Sequence, residues 1–217
     1  MARSLGRQGS RGRCRASHLP TISPVTTILL ARHGESDWNS AGRWQGHADR
    51  PLTELGRRQA ELLAGELADV PLVAAYASDL RRAWETAEIA VASRGLAVVR
   101  VRALREVDVG SWAGLSRAEI AERFPGAFER WGSGGDGWED GEPYDTMAGR
   151  VVEAVRQIAD AHPGGRVLVV THGGPIRAIK AHALGMTFAE HRRTAPVEAN
   201  AAVSRVAVRN GSINLLE

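Results

Sequence analysis

The sequence predicts an α/β fold, a three-layer α/β/α sandwich whose mostly parallel central sheet is covered by helices on both faces. Short apolar runs rich in β-branched residues recur along the chain, and several are followed by a longer segment with apolar residues at helical spacing. Alternating strands and helices are typical of parallel sheets. The length of 217 residues suits one domain with a substantial core.

The predicted elements follow one another in a regular order from residue 26 onwards. The first strand covers 26–31, where the run TTILLA is apolar and β-branched. A helix begins after Thr53, a favourable N-cap residue, and extends to about Ala68. Further strands are predicted at 72–77, 97–101 and 167–171, and further helices at 79–93, 144–161 and about 175–184.

The chain is predicted to end in a β-hairpin. The apolar runs 203–208 and 213–216 flank the pair Asn210-Gly211, and an Asn-Gly pair favours the tight turns that join two antiparallel strands. We therefore expect one antiparallel addition to an otherwise parallel sheet.

Between Leu104 and Asp145 the alternation of strands and helices is interrupted. Glycine is frequent from 132 to 141, tryptophan occurs at 112, 131 and 138, and one short helix is predicted near 116–124. Because the aromatic residues favour packing, we expect a small cap-like insertion over one edge of the sheet. A long disordered loop is the alternative.

The first 24 residues differ from the rest in composition. Residues 1–20 contain five arginines and no acidic residue, and the segment shows no apolar periodicity. We expect either a disordered extension or a start codon assigned too early, and an organelle transit peptide is the alternative. Residues 25–217 are then the single folded domain.

Composition excludes several classes of function. The net charge is +3, but without residues 1–20 it becomes −2, which leaves no basic patch for a nucleic acid. No apolar stretch approaches the roughly 20 residues that a membrane span requires. The single cysteine, Cys14, cannot form an internal disulfide or a cysteine-based metal cluster, and it favours a cytoplasmic location. The sequence leaves a homodimer open.

Two of the predicted strands end in the same dipeptide. The first is followed by His33-Gly34, and the strand at 167–171 is followed by His172-Gly173. Ligands of open α/β sheets bind at the carboxyl ends of the strands, where helix N-termini present unpaired N–H groups. A lone histidine is more often structural, but two at equivalent strand ends indicate one shared crevice.

Two arginines give this crevice its predicted charge. Arg32 precedes His33, and Arg82 lies at the start of the helix that follows the second strand. Guanidinium groups match phosphate oxygens with forked, charge-assisted hydrogen bonds. The crevice is therefore predicted to bind a phosphate group, although Arg82 could also lie on a solvated helix face.

A series of motifs in fixed order surrounds these residues. They are Arg32-His33-Gly34-Glu35, Trp38-Asn39, Arg43-x-Gln45-Gly46, Pro51-Leu52-Thr53, Ser78-Asp79-Leu80-x-Arg82-Ala83, Leu104-x-Glu106, Gly141-Glu142 and Thr171-His172-Gly173-Gly174. In this succession the chain resembles the histidine phosphatase superfamily, in the branch that contains the cofactor-dependent phosphoglycerate mutases and their smaller phosphatase relatives. The resemblance extends from Thr26 to the last predicted strand.

The resemblance implies a compact phosphatase of the histidine acid phosphatase type. Such an enzyme would hydrolyse small-molecule phosphate monoesters through a phosphohistidine intermediate, with no metal and no other cofactor. His33 would be the nucleophile and Glu106 the proton donor to the leaving group. The phosphoryl group would be bound by Arg32, Asn39, Arg82, His172 and Gly173, and the rest of the substrate would contact Gln45 and Gly46.

Other assignments stay open at this stage. Asp108 competes with Glu106 as the acid, because strand alternation would place both on one face. Trp44, Trp112 and Trp131 could line the substrate entrance, although packing in the core or cap is the expected use. Glu35 and Glu142 are expected to orient arginines or neighbouring backbone.

Three other functions remain as alternatives. A phosphoglycerate mutase would carry ERHYG where this chain has EVDVG from residue 106, together with longer insertions. A metal-dependent hydrolase would need ligand spacings such as H-x-H or H-E-x-x-H, which the sequence lacks. A non-catalytic protein that binds a phosphorylated ligand would not need both His33 and Glu106.

Overall fold

The computed structural model describes residues 24–216, which form a six-stranded mixed sheet. The strands are β1 (Thr26–Arg32), β2 (Leu72–Ala77), β3 (Val98–Arg100), β4 (Arg166–Thr171), β5 (Val203–Arg209) and β6 (Ser212–Leu216). Their spatial order is β3-β2-β4-β1-β5-β6. Apart from Pro24, the extension expected over 1–24 lies outside the described residues.

Eight α-helices occur in this part of the chain. They are α1 (Asp37–Ser40), α2 (Glu54–Glu66), α3 (Arg81–Val91), α4 (Arg117–Arg123), α5 (Pro125–Gly132), α6 (Tyr144–Ala161), α7 (Gly173–Ala183) and α8 (Phe188–Thr194). Short 3₁₀ turns occupy Ala92–Arg94, Arg102–Leu104 and Gly110–Trp112. None of the helices between residues 24 and 216 has the length and apolar character needed to cross a lipid bilayer.

The strand pairing brings the two predicted His-Gly dipeptides to one end of the sheet. β1 pairs with β4 in parallel, with Arg32 opposite Thr171, and β2 joins the other side of β4, also in parallel. The hairpin of β5 and β6 is antiparallel and pairs with β1 through β5. Because β1 and β4 end at the same level, His33 and His172 leave the sheet side by side.

Helices cover both faces of the sheet, which confirms the predicted three-layer sandwich. Ile28 and Leu30 of β1 face a core shared with α6 and α7. Leu29, between them, faces a second core formed with α2 and α3. All three side chains are almost completely buried, because a central strand covered on both sides exposes neither of its faces.

The segment from 104 to 145 is packed and contains two helices where the sequence predicts one. Trp112 is fully buried and belongs to the core that also contains α6 and α7. The additional helix α5 begins at Pro125, which is tolerated in the first turn of a helix, and its Phe128 packs against Trp112. A side chain at Gly137 would overlap the Trp112 ring, so this turn requires glycine.

Some helix limits differ from the predicted ones. α3 begins at Arg81, two residues later than predicted, and α7 begins at Gly173, two residues before the predicted start at Pro175. His172 occupies the N-cap position of α7, so that Pro175 lies in the first turn, where a missing N–H group costs nothing. The short helices α1 and α8 lie between the predicted elements, where the sequence predicts no helix. α8 starts with a capping box of Thr187 and Glu190.

Candidate active site

A cavity of 610 Å³ opens where β1 and β4 end. Seven of the nine residues predicted to form the site line it: Arg32, His33, Asn39, Gln45, Gly46, Arg82 and Glu106. The other two lie directly beside these. His172 meets His33 edge to face, with ring centroids 5.0 Å apart, and Gly173 is the first residue of α7. The structure therefore brings all nine together.

The end of β1 fixes the His33 ring in one tautomer. Its Nδ1 lies 2.7 Å from the backbone oxygen of Gly34, and because a carbonyl oxygen only accepts, Nδ1 carries the proton. Nε2 therefore keeps its lone pair. The His33 backbone is held on both sides, since its N–H donates to Thr171 O at 2.9 Å and its carbonyl accepts from Asn200 Nδ2 at 2.9 Å.

Both buried imidazoles are held neutral. Burial lowers the pKa of His33 well below its ordinary value, and the positive charges of Arg82 and Arg32 lower it further. Burial also lowers the pKa of His172, with Arg82 as the next cause. At neutral pH the His33 ring can therefore act as a nucleophile without first losing a proton.

Several buried polar atoms around the two rings have no hydrogen-bond partner. Within residues 24–216, both ring nitrogens of His172, Nε of Arg32 and Nε of Arg82 are buried and unpartnered. Buried donors of this kind are nearly always paired in proteins, so a cluster of four indicates the position of a ligand. The two arginine Nε atoms are donors and the neutral His172 supplies one further N–H, which suits an anion.

Backbone carbonyls hold the two guanidinium groups in place. Arg82 is 1% exposed and donates to Ala48 O at 2.8 Å and to Gly46 O at 3.0 Å. Arg32 donates to Glu198 O at 2.5 Å. Burial lowers the pKa of Arg82 to about 10, so the group keeps its positive charge at neutral pH. The carbonyl partners orient both groups without neutralising them.

Asn39 and Gln45 reach the cavity from the loop and short helix that follow β1. Asn39 Oδ1 accepts from the backbone N–H of Ser36 at 3.2 Å, which leaves the Nδ2 group of Asn39 for another acceptor. The Ser36 hydroxyl lies 2.9 Å from the Gln45 side-chain oxygen. The capping box of α1 therefore also sets the orientation of two cavity residues.

Glu106 presents its carboxylate to the cavity beside the N-terminus of α7. Its Oε2 accepts from Gly174 N at 3.2 Å and its Oε1 from Val107 N at 3.0 Å. Asp108 does not line the cavity, and it faces His47 Nδ1 at 3.5 Å with a side chain that is 43% exposed. The geometry therefore favours Glu106 over Asp108 as the acid.

The structure adds residues that sequence reasoning did not assign to the site. Arg150 donates to the backbone oxygen of Glu106 at 2.8 Å, and His47 donates to the same oxygen at 2.9 Å. Glu142 pairs with Arg150, as an arginine-orienting glutamate should. Glu35 instead accepts from the Thr53 hydroxyl at 2.8 Å. No sequence motif indicated a role for His47.

The tryptophans divide between core and cavity. Trp112 is buried in the core, whereas Trp44 and Trp131 pack against that core and also line the cavity. Four arginines that the sequence analysis did not single out line the cavity as well: Arg117, Arg177, Arg192 and Arg193. For two of them, Arg192 and Arg193, the sequence contains a signal, the run of basic residues in the last turn of α8.

The chain belongs to the histidine phosphatase superfamily, branch 1. The sequence pattern of this family matches residues 28–217, which confirms the resemblance inferred from the motifs. The two histidines, two arginines and one glutamate described above all fall within the matched part.

The chain is also similar to individual proteins and solved structures. The chain is 45% identical over 162 residues to a metal-independent phosphoserine phosphatase of Arabidopsis thaliana, covering 72% of this chain and 68% of that protein. It is 36% identical over 173 residues to a glucosyl-3-phosphoglycerate phosphatase of Mycobacterium tuberculosis, covering 75% and 77%. The solved structure of YhfR from Bacillus stearothermophilus superposes with a TM-score of 0.82 at 35% identity, covering 88% of this chain and 95% of that one.

Proposed function

We propose that the protein is a metal-independent phosphatase that hydrolyses small phosphate monoesters through a phosphohistidine on Nε2 of His33. The observation that carries this proposal is the buried, neutral His33 ring, whose Nε2 lone pair is available next to a cluster of unpartnered groups suited to an anion. Membership of the family and the phosphatase names of two relatives support the same activity.

In the first step His33 Nε2 attacks phosphorus as the bond to the ester oxygen breaks. Glu106, in its acid form, gives its proton to the departing alkoxide, so the alcohol leaves neutral. Arg32, Arg82, His172 and Asn39, together with the backbone N–H of Gly173, bind the phosphoryl oxygens and stabilise the charge that develops there. Electrostatic stabilisation of this kind dominates phosphoryl transfer.

In the second step water replaces the alcohol. The Glu106 carboxylate removes a proton from water as its oxygen attacks phosphorus, and the bond between phosphorus and Nε2 breaks. Inorganic phosphate leaves, and both His33 and Glu106 return to their starting states. Splitting one difficult displacement into two steps is the advantage of a covalent intermediate.

We infer that the activity is of the acid phosphatase type. A pKa well below the ordinary value keeps His33 neutral, and therefore nucleophilic, in mildly acidic solution where an exposed histidine is protonated. Residues 25–217 would form the single catalytic domain, with 104–145 as its cap. The partner would be the small phosphorylated substrate, with a homodimer left open, in a reducing cytosolic setting.

The test is hydrolysis of p-nitrophenyl phosphate and phosphoserine by the full chain, with and without EDTA, across pH 4–8. We expect turnover that EDTA does not reduce. When the reaction with a ³²P-labelled ester is quenched rapidly, we also expect a label on the protein that is acid-labile and base-stable. His33→Ala should abolish both. The matched control His182→Ala, on α7 and outside the cavity, should retain both.

Four outcomes would contradict the proposal. Undiminished turnover by His33→Ala would remove the covalent step, and loss of activity in EDTA would indicate a metal. Conversion of 3-phosphoglycerate to its 2-phospho isomer, faster than phosphate release and dependent on a bisphosphorylated activator, would indicate a mutase. Binding of phosphoserine without any turnover would indicate a ligand-binding protein.

A further inference from the structure

The cavity contains far more positive charge than one phosphate group needs. Beyond Arg32 and Arg82, its lining includes five further arginines and, among residues 24–216, one carboxylate, that of Glu106. The five are Arg43, Arg117, Arg177, Arg192 and Arg193. Of these, Arg43 forms an ion pair, with Glu119 at 3.2 Å.

The other four have no acidic partner within the described part of the chain. Arg117 and Arg192 lie over the ring of Trp131, with Cζ 5.1 Å and 5.0 Å from its centroid. An aromatic ring positions a cation but does not cancel its charge. Arg192 also donates to the backbone oxygen of Trp131 and lies 3.5 Å from the Tyr144 hydroxyl, so its guanidinium is fixed by neutral groups alone.

Arg177 is held in the same way from α7. It donates to Ala195 O at 2.9 Å, and its Nε is buried without a partner. Arg193, next along α8 from Arg192, also lines the cavity and lies close to Gly134 of the 104–145 segment. Uncompensated cations that converge on one cavity repel one another unless an anion binds between them.

We propose that the substrate carries a second anionic group, a carboxylate or a second phosphate, on its alcohol portion, bound by Arg117, Arg192 and Arg193. The guanidiniums of Arg32 and Arg82 are committed to the ester phosphate, so the second group explains the remaining charge. Trp131 and Trp44 offer apolar surface to the carbon skeleton between the two anions. The volume of 610 Å³ leaves room for such a molecule beyond the phosphate.

This inference rests on the proposed phosphatase activity, and the experiment separates the two. The full chain is assayed on three esters with the same three-carbon skeleton: propyl phosphate, 3-phosphooxypropanoate and 1,3-propanediol bisphosphate. We expect kcat/KM for at least one of the two esters with a second anionic group to exceed that for propyl phosphate by about tenfold or more, and the advantage to shrink at high salt. A higher kcat/KM for 3-phosphooxypropanoate would indicate that the second anionic group is a carboxylate, and a higher value for 1,3-propanediol bisphosphate that it is a phosphate.

Variants locate the effect. Arg192→Gln and Arg117→Gln, which change two different helices, should each reduce the ratio of kcat/KM between the better ester with a second anionic group and propyl phosphate by about tenfold. The control Arg209→Gln, an exposed arginine of β5 outside the cavity, should leave the ratio unchanged. Because the readout is a ratio within one protein sample, partial loss of folded enzyme does not alter it.

Two results overturn the inference while leaving the phosphatase proposal intact. One is equal kcat/KM for all three esters in the unmodified protein, and the other is a ratio that neither arginine variant changes. Failure of the unmodified protein to hydrolyse any of the three esters, or p-nitrophenyl phosphate, would instead overturn the proposed function itself.

Discussion

At the scale of single residues, Gly174 shows how a missing side chain sets the position of the proton donor. Its backbone N–H donates to Glu106 Oε2 at 3.2 Å, and a β-carbon at this position would overlap Glu106 Oε1. Glycine is therefore required here for close approach, because the residue lies in the regular first turn of α7 and its φ is not positive.

Gly174→Ala should displace the Glu106 carboxylate and slow the reactions that need a proton at the leaving group. We expect kcat for an alkyl phosphate to fall by about 10²-fold, whereas p-nitrophenyl phosphate, whose leaving group needs no proton, should lose much less. The measurement is the ratio of the two kcat values in the variant and in the unmodified protein.

Gly65→Ala is the matched control for this change. Gly65 lies in the last turns of α2 with open space where a β-carbon would be placed, so both kcat values should be unchanged. Equal losses on the two substrates in Gly174→Ala would mean that the glycine supports the fold and does not position the acid.

At the scale of elements, α6 holds the loop that carries Glu106. Arg150 donates to the backbone oxygens of Ala103 and Arg105 at 2.8 Å, in addition to that of Glu106, and it pairs with Glu142 at 2.6 Å. This stretch of backbone lies in no strand, so the carbonyls of Ala103 and Arg105 depend on the guanidinium for a partner, whereas that of Glu106 also accepts from His47. Arg150 is therefore a positioning residue that acts through the loop.

Arg150→Lys should loosen this loop, because a single ammonium group cannot span three carbonyls and a carboxylate. We expect the free energy of unfolding to fall by about 2 kcal/mol, for two or more lost hydrogen bonds, with kcat for alkyl phosphates reduced more than kcat for p-nitrophenyl phosphate. Urea unfolding and the two assays measure these effects. Arg156→Lys, two turns further along α6, is the control. It should lower the free energy of unfolding, because Arg156 donates to Gly211 O, but it should not change the ratio of the kcat values for the two substrates. A kcat ratio that also stays unchanged in Arg150→Lys would exclude the positioning role.

The elements also show which parts of the fold the sequence could predict. α6 was predicted with its observed limits, because its 18 residues carry a long apolar stripe. α5 and α8, of eight and seven residues, lie where the sequence predicts no helix, because such short helices form mainly through tertiary contacts. The capping box of Thr187 and Glu190 is a local signal for the start of α8, but no apolar stripe long enough to predict a helix follows it.

The same distinction applies to the candidate site. His33 and His172 could be brought together from sequence because parallel strands end at one edge of a sheet. His47 and Arg150 could not, because each reaches Glu106 across more than 40 residues through packing of the 104–145 segment. The cavity arginines Arg117, Arg177, Arg192 and Arg193 come from three different helices, and their convergence depends on the same packing.

At the scale of the whole molecule, folding gathers neutral histidines and charged arginines from distant parts of the chain. His33 follows β1, His172 follows β4 and Arg82 comes from α3, and all three are almost completely buried. Assembling them requires that the imidazoles stay unprotonated, since a third and fourth positive charge beside Arg32 and Arg82 would be strongly disfavoured. The cost of building the site is therefore coupled to pH.

This coupling predicts that the fold weakens in mild acid. The pKa values of His33 and His172 are lowered in the folded protein. As the pH falls, these histidines therefore take up protons first in the unfolded chain, near the ordinary histidine pKa of about 6.5. Stability from these groups is fully present above that pH, and it falls below it by about 1.4 kcal/mol per pH unit for each histidine, until the folded values are reached. Urea unfolding at pH 7.5, 6.5 and 5.5 measures how the free energy of unfolding changes with pH. Replacing both His33 and His172 by Gln should remove the contribution of these two residues to that change, since glutamine does not titrate. An identical slope in the double variant would show that the two histidines titrate alike in the folded and unfolded chain, which is incompatible with a buried, neutral pair.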